Sequence, residues 1–210
     1  MILVFDVDGT LLDSYPVVEK TYIDLFRIHL PNYQYTKKEL LSFFGPPLYD
    51  TFYTITGNEE QSRKLVDQYR AISKVNTPLL MRAYPGVRET LTELKKEGYI
   101  LAALSNKIKE AIVEGLRVSD LDGLLDCIVG YEDMTYPKPH PGGLEKIMAL
   151  YQDQAIMIGD SVIDIKTAQR ANCSSIGITW ALTSAQEFKQ AKATYVIDDI
   201  KEVITCIRSR

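Results

Sequence analysis

The sequence is poor in the residues that bind transition metals and in cysteines that could form a disulfide framework. Its 210 residues include two histidines and three cysteines. Cys127, Cys173 and Cys206 are far apart, odd in number and without the spacing of a zinc site, so neither a zinc module nor a disulfide-stabilised fold is expected. We interpret them as buried thiols of a protein in the reducing cytoplasm. His29 and His140 are interpreted as ordinary helix and loop residues, not as a metal-binding pair.

The sequence also lacks an excess of positive charge and any long apolar run. The net charge is -4, and no basic stretch is interleaved with aromatic residues, which argues against a nucleic-acid-binding surface. No apolar run approaches the length needed to cross a bilayer, and Met1 leads into the first apolar segment without a signal-peptide pattern. We therefore expect a cytoplasmic globular protein, a monomer or a homodimer, whose partner is neither a membrane nor a nucleic acid.

Short apolar runs alternate with amphipathic segments over most of the chain. The first run, Ile2-Leu3-Val4-Phe5, has the length and composition of a buried parallel strand. Further strands are predicted over 99–104, 127–129, 155–158, 175–178 and 194–197, with helices between them. Strands that alternate with helices indicate an α/β fold with a doubly wound parallel sheet.

Residues 15–81 interrupt this alternation. They contain no strand pattern, are rich in Tyr and Phe, and carry amphipathic helical patterns over 16–30 and 59–74. A third helix is expected after Gly45-Pro46-Pro47-Leu48, with Pro47 in its first turn. The predicted domains are therefore a catalytic core, 1–14 and 82–210, and an inserted α-helical cap domain, 15–81. We expect most of the aromatic residues to form the core of the cap, and the cap to cover the carboxyl edge of the sheet.

Polar residues that could carry chemistry follow four of the predicted strands. In a parallel sheet all these strand ends share one edge, where ligands bind, so residues more than a hundred positions apart are expected to meet. They are Asp6 and Asp8 after the first strand, Ser105 and Asn106 after the second, Lys138 after the third, and Asp160 and Asp164 after the fourth.

These residue types suit the transfer of a phosphoryl group. Asp6 can attack phosphorus as a carboxylate nucleophile, and Asp8 can protonate the leaving oxygen and then deprotonate the hydrolytic water. Asp6 and Asp160, with a main-chain carbonyl, supply the hard oxygen ligands that Mg²⁺ prefers. Ser105 and Lys138 can hold the non-transferred oxygens and offset their charge.

Each of these residues also has a purely structural interpretation. Ser105 and Asp160 could be helix N-caps, and Lys138 could be a solvated loop lysine. The Asp6–Gly9 segment could be an ordinary turn after a strand. Asp164 lies one helical turn beyond Asp160, so it is expected near the metal site or on the surface rather than as a direct ligand. The joint order of these residues favours the functional interpretation.

The chain closely resembles the haloacid dehalogenase superfamily of phosphatases. The resemblance implies a Rossmann-like core, a helical cap inserted after the first motif, an aspartyl-phosphate intermediate on Asp6, and Mg²⁺ dependence. Dehalogenases of this family lack a carboxylate at the position of Asp8, so the resemblance favours phosphate over carbon–halogen chemistry. To the predicted site we add Gly9, Thr10 and Asn106 as phosphate-binding residues and the main-chain carbonyl of Asp8 as a metal ligand. The matching motifs are Asp6-x-Asp8-Gly9-Thr10, Ser105-Asn106, Lys138-Pro139 and Gly159-Asp160-Ser161-x-x-Asp164.

The motifs resemble those of phosphoglycolate phosphatases most, through Leu104-Ser105-Asn106-Lys107 and Lys138-Pro139-His140-Pro141. Phosphoglycolate is therefore the leading substrate among small phosphorylated metabolites. A 5'-nucleotidase, a pyrophosphatase, and a phosphosugar mutase of the β-phosphoglucomutase type remain alternatives on the same core. So does a regulatory module that binds Mg²⁺ or an anion without catalysis. The residues expected to form the substrate-facing loop of the cap are Phe44, Gly45, Pro46, Pro47 and Leu48.

Overall fold

The computed structural model describes residues 1–208, which form two compact units. One unit comprises Met1–Asp13 together with the chain from Arg82 onward, and the other comprises Ser14–Met81. The structure thus places Ser14 in the helical unit, whereas the sequence analysis assigned it to the core. Among the described residues, no helix has both the length and the apolar character that a membrane span requires.

Six parallel strands form the main sheet of the first unit, in the order β5 (Cys127–Val129), β4 (Ile100–Leu104), β1 (Ile2–Phe5), β6 (Ala155–Gly159), β7 (Ser174–Ile178) and β8 (Tyr195–Ile197). This confirms the predicted α/β, doubly wound, Rossmann-like core. Two further strands, of two residues each, pair antiparallel and were not predicted, because two residues carry no periodicity. These two strands are β2 (Leu12–Asp13) and β3 (Arg82–Ala83).

The centre of the sheet is apolar on both faces because helices cover it on both sides. All four residues of β1 are fully buried, and so are those of β6 except for slight exposure at Ala155. Such continuous apolar runs are typical of buried parallel strands. The chain leaves β1 toward β4 on one side and reaches β6 on the other, so strand order reverses at β1. Ligands of open α/β sheets bind at this kind of switch point.

The second unit is wholly helical. Its helices are α1 (Tyr15–His29), α2 (Lys37–Ser42), α3 (Leu48–Thr56) and α4 (Glu59–Leu80). Its core is aromatic, as predicted, with the ring of Tyr22 4.8 Å from that of Tyr69 and 5.9 Å from that of Phe52. Pro47 precedes α3 as its N-cap instead of lying in its first turn.

The first unit adds six α-helices to its sheet. They are α5 (Val87–Lys96), α6 (Lys109–Val118), α7 (Gly142–Tyr151), α8 (Val162–Arg170), α9 (Ala185–Gln190) and α10 (Glu202–Arg208), and a 3-10 turn lies at Tyr131–Asp133. The start of α8 matters most for the site. Ser161 and Asp164 form a capping box there, in which the side chain of Asp164 accepts the backbone N–H and the hydroxyl of Ser161.

Candidate active site

The predicted site residues of the first unit follow the carboxyl ends of four neighbouring strands, β5, β4, β1 and β6. Asp6 follows β1, and its backbone N–H donates to the carbonyl of Ile158 at 2.8 Å. Ser105 follows β4, and its N–H donates to the carbonyl of Val129 at 3.1 Å. Asp160 directly follows β6. The backbone hydrogen bonds of the sheet therefore continue to Asp6 and Ser105 and fix the positions of their Cα atoms.

Lys138 joins two of the predicted carboxylates. Its Nζ lies 3.0 Å from Oδ1 of Asp6 and 2.7 Å from Oδ1 of Asp164, and only 3% of its side chain is exposed. The interpretation as a solvated loop lysine is therefore wrong. Burial lowers the pKa of Lys138, but the charges of Asp164 and Asp6 outweigh it and hold the pKa above its ordinary value. Lys138 is thus a buried ammonium between two carboxylates.

Asn106 holds the backbone of Lys138 with both ends of its amide. Its Oδ1 accepts the N–H of Lys138 at 2.8 Å, and its Nδ2 donates to the carbonyl of Lys138 at 3.1 Å. The peptide bond between Lys138 and Pro139 is cis. The two hydrogen bonds from the Asn106 amide position the backbone of Lys138. The predicted contact of Asn106 with phosphate stays a prediction.

Three carboxylates gather beside this lysine. One oxygen from each of Asp6, Asp160 and Asp164 lies within 4.8 Å of the other two. Burial raises the pKa of Asp6 to about 7, with a further contribution from Asp164 that Lys138 opposes. Burial also raises the pKa of Asp160, and the charges of Asp6 and Asp164 add to the effect. Three buried acidic groups this close together favour a bound cation or bound protons, because either reduces their mutual repulsion.

The donor set of this cluster fits Mg²⁺. It offers carboxylate oxygens alone, which hard divalent cations prefer, and contains neither histidine nor cysteine. Three carboxylates gather beside the ammonium of Lys138, so one divalent cation would neutralise the excess negative charge. Asp6 and Asp160 are the best placed to hold it. Asp164 has one oxygen on Lys138 and the other on Ser161, which suits it to orient the ammonium.

Asp164 is completely buried, so the alternative of a surface function is wrong. The N-cap interpretations also fail for the two other residues to which they were applied. The N-cap of α8 is Ser161 rather than Asp160, and the N-cap of α6 is Ile108 rather than Ser105. These residues are therefore not explained by helix capping.

Asp8 is paired with a lysine that the sequence analysis did not select. Nζ of Lys107 lies 2.8 Å from Oδ1 of Asp8, with 19% and 29% of the two side chains exposed. Each of the two aspartates after β1 therefore has its own ammonium, Lys138 for Asp6 and Lys107 for Asp8. Its position in the sequence could have identified Lys107 as a site residue, because it directly follows Ser105-Asn106 after the end of β4.

Gly9 and Thr10 lie against Asp160. The backbone of Gly9 has φ +78°, and a Cβ at this position would collide with the carboxylate of Asp160. Thr10 is buried, and its hydroxyl lies 3.4 Å from Oδ1 of Asp160. The structure thus shows both residues shaping the surroundings of Asp160, whereas their contact with phosphate stays a prediction.

Gly9→Ala is expected to weaken Mg²⁺ binding about 10- to 100-fold, the usual cost of displacing a metal ligand through its neighbour. The matched control is Gly123→Ala. Gly123 has φ +73° but open space where the Cβ would lie, so that variant has the same backbone strain without the collision. Calorimetric titration with Mg²⁺ measures both affinities. Equal affinities in the two variants would contradict the assignment of Asp160 as a ligand.

The remaining predicted residues lie away from this cluster or in the other unit. Nδ1 of His140 accepts the backbone N–H of Gly142 at 3.1 Å, and His29 is the last residue of α1. The acidic cluster that could hold a metal ion, as found among residues 1–208, includes neither histidine. In the loop between α2 and α3, the ring of Phe44 stacks on Tyr15 at 4.9 Å within the helical unit. Substrate contact by Phe44, Gly45, Pro46, Pro47 and Leu48 stays a prediction.

A buried ammonium beside clustered carboxylates lies at the switch point of a parallel α/β sheet, and this combination suits the binding of a phosphoryl group. The chain belongs to the haloacid dehalogenase-like hydrolase family, whose model matches residues 3–178. This confirms the resemblance to haloacid dehalogenase superfamily phosphatases that the motifs indicated.

Three similar proteins cover nearly all of the chain. It is 30% identical over 205 residues to the pyrophosphatase PpaX of Bacillus thuringiensis (strain Al Hakam), covering 96% of this chain and 94% of that protein. A haloacid dehalogenase-like protein of Bacteroides fragilis superposes with a TM-score of 0.88 at 28% identity, over 96% and 98% of the two chains. A protein described as a predicted phosphoglycolate phosphatase, from Haemophilus somnus, has a TM-score of 0.86 at 24% identity, over 98% and 97%. At that identity the likeness concerns the fold.

Proposed function

We propose that this protein is a Mg²⁺-dependent phosphatase of small phosphorylated metabolites that works through an aspartyl-phosphate on Asp6. The observation that carries the proposal is the contact of Lys138 with Asp6 inside the carboxylate cluster at the end of β1. A carboxylate nucleophile, a buried ammonium and hard oxygen donors for a cation together suit the hydrolysis of a phosphate ester.

In the first step a carboxylate oxygen of Asp6 bonds to phosphorus while the bond from phosphorus to the leaving oxygen breaks. Asp8 gives that oxygen a proton. In the second step Asp8 takes a proton from water, whose oxygen bonds to phosphorus as the bond to Asp6 breaks. The Lys138 ammonium and the Ser105 hydroxyl hold the non-transferred oxygens. A Mg²⁺ held by Asp6, Asp160 and the main-chain carbonyl of Asp8 would neutralise charge on the phosphoryl group.

Phosphoglycolate is the leading substrate, because the motifs after β4 and around Lys138 resemble those of phosphoglycolate phosphatases. Pyrophosphate is the second candidate. The observation that favours it is the 30% identity to a protein named pyrophosphatase PpaX, over nearly the whole length of both chains. In both candidates the transferred phosphoryl group is attached to a small leaving group that itself carries negative charge.

Phosphate release by the purified protein tests this proposal. We expect hydrolysis of phosphoglycolate or pyrophosphate with Mg²⁺ and none with EDTA, since the carboxylate cluster then lacks its counter-charge. The two candidates and p-nitrophenyl phosphate are compared by kcat/KM. A protein that releases phosphate from none of a broad panel of phosphorylated metabolites would contradict the catalytic interpretation and favour a binding module. A candidate hydrolysed no faster than p-nitrophenyl phosphate would be rejected as the physiological substrate.

A further inference from the structure

Lys107 is held firmly beside Asp8 by its own backbone. Its N–H donates to Oγ of Ser105 at 3.3 Å, and its carbonyl accepts the N–H of Tyr131 at 2.9 Å. Its ammonium then reaches Oδ1 of Asp8 at 2.8 Å, with 19% of the side chain exposed. The backbone of Lys107 is therefore anchored at both its N–H and its carbonyl, and its ammonium, bonded to Asp8, is still partly accessible.

The position of Asp8 fixes what this ammonium can reach. In the proposed mechanism Asp8 protonates the leaving oxygen, which requires a hydrogen-bond distance between them. An ammonium bonded to the other oxygen of the same carboxylate then lies within about 8 Å of the leaving oxygen, which is the sum of two hydrogen-bond distances and the separation of the two carboxylate oxygens. An ammonium has three N–H donors, and the bond to Asp8 occupies one. Lys138, in contrast, contacts Asp6 and Asp164.

We infer that Lys107 binds a negatively charged group of the leaving group, and so selects substrates that carry a second anion next to the scissile oxygen. The inference rests on the proposed function and specifies its substrate class. The carboxylate of phosphoglycolate is separated from the scissile oxygen by one methylene, and the second phosphate of pyrophosphate is bonded to that oxygen directly. Both anions can therefore extend from the scissile oxygen toward the ammonium. Phosphate esters of neutral alcohols lack this second anion.

A single pair of substrates isolates this contact. Phosphoglycolate and 2-hydroxyethyl phosphate release alcohols of similar size and acidity, but only the former carries the carboxylate. We expect Lys107→Met to lower the ratio of their kcat/KM values about 10- to 100-fold, chiefly through the KM for phosphoglycolate, as for the loss of a hydrogen bond to a charged group. The discrimination of pyrophosphate from 2-hydroxyethyl phosphate should fall in the same variant.

Two further variants control the experiment. Lys109→Met removes the same charge two residues away, where the lysine approaches Asp133 at 3.7 Å and 48% of its side chain is exposed. Its selectivity should stay within about twofold of the wild-type value. Lys107→Arg keeps the charge and should keep most of the preference for phosphoglycolate. Thermal unfolding of each variant shows whether it is folded.

The outcomes separate this inference from the proposed function. An equal loss on phosphoglycolate and 2-hydroxyethyl phosphate in Lys107→Met would overturn the inference, because Lys107 would then only orient Asp8. A wild-type protein that does not prefer phosphoglycolate over 2-hydroxyethyl phosphate would overturn it as well. A wild-type protein that hydrolyses neither compound, nor any other phosphate ester, would instead reject the proposed function and the inference with it.

Discussion

Asp6→Asn is expected to lower the turnover number by about four orders of magnitude or more, the scale seen when an enzyme loses its nucleophile. The amide has nearly the volume of the carboxylate and keeps an acceptor oxygen for the N–H of Val7, which donates to Oδ1 of Asp6 at 2.7 Å. Lys138 keeps its contact with Asp164 in this variant. The chemistry should therefore be lost while the fold persists.

Phosphate release and thermal unfolding, measured on the same preparation, test this expectation. Asp122→Asn is the matched control, since Asp122 is exposed and lies in the loop between α6 and β5. It should keep wild-type activity and stability. A folded Asp6→Asn protein that retained a tenth of the wild-type turnover would show that the attacking atom is not on Asp6.

Lys138→Met is expected to lower the free energy of unfolding of the metal-free protein by about 3 to 5 kcal/mol, the cost of breaking a buried ion pair from one side. Methionine fills much of the space but leaves the carboxylates of Asp6 and Asp164 facing each other without a counter-charge. Activity should also fall, because the ammonium that holds the non-transferred oxygens is gone. The structural reason is the near-complete burial of the Lys138 side chain between these carboxylates.

Denaturant unfolding in EDTA measures this loss directly. Lys166→Met, an exposed substitution on α8, should change the free energy of unfolding by less than about 0.5 kcal/mol. Adding Asp164→Asn to Lys138→Met should recover part of the lost stability, because it removes one of the two buried carboxylate charges that have no partner in Lys138→Met. The buried-pair explanation fails if Lys138→Met and Lys166→Met unfold at the same denaturant concentration.

The main features of the fold follow from the sequence because buried parallel strands are continuous apolar runs. β1 and β5 span the residues that the pattern predicted. Shorter elements escape such reasoning. The six-residue helix α2 forms where Thr36 and Glu39 make a capping box, a local exchange of hydrogen bonds that leaves little periodicity.

The site could be predicted only as far as strand ends determine it. The convergence of Asp6, Asp160 and Lys138 follows from the shared edge of a parallel sheet. The clamp of Asn106 on Lys138 and the pairing of Lys107 with Asp8 depend on how loops fold across that edge. Their partners are 32 and 99 residues apart in the chain, and no local pattern connects them.

Asp164 links the geometry of a helix to that of the reacting groups. One of its carboxylate oxygens accepts a hydrogen bond from the ammonium of Lys138 at 2.7 Å. The other accepts the backbone N–H and the hydroxyl of Ser161, the N-cap of α8. A one-residue slide of α8 along its axis moves its atoms by about 1.5 Å, more than either hydrogen bond can stretch and survive. The axial position of α8 is therefore coupled to the position of the Lys138 ammonium, so the helix determines how far this side chain extends toward the substrate.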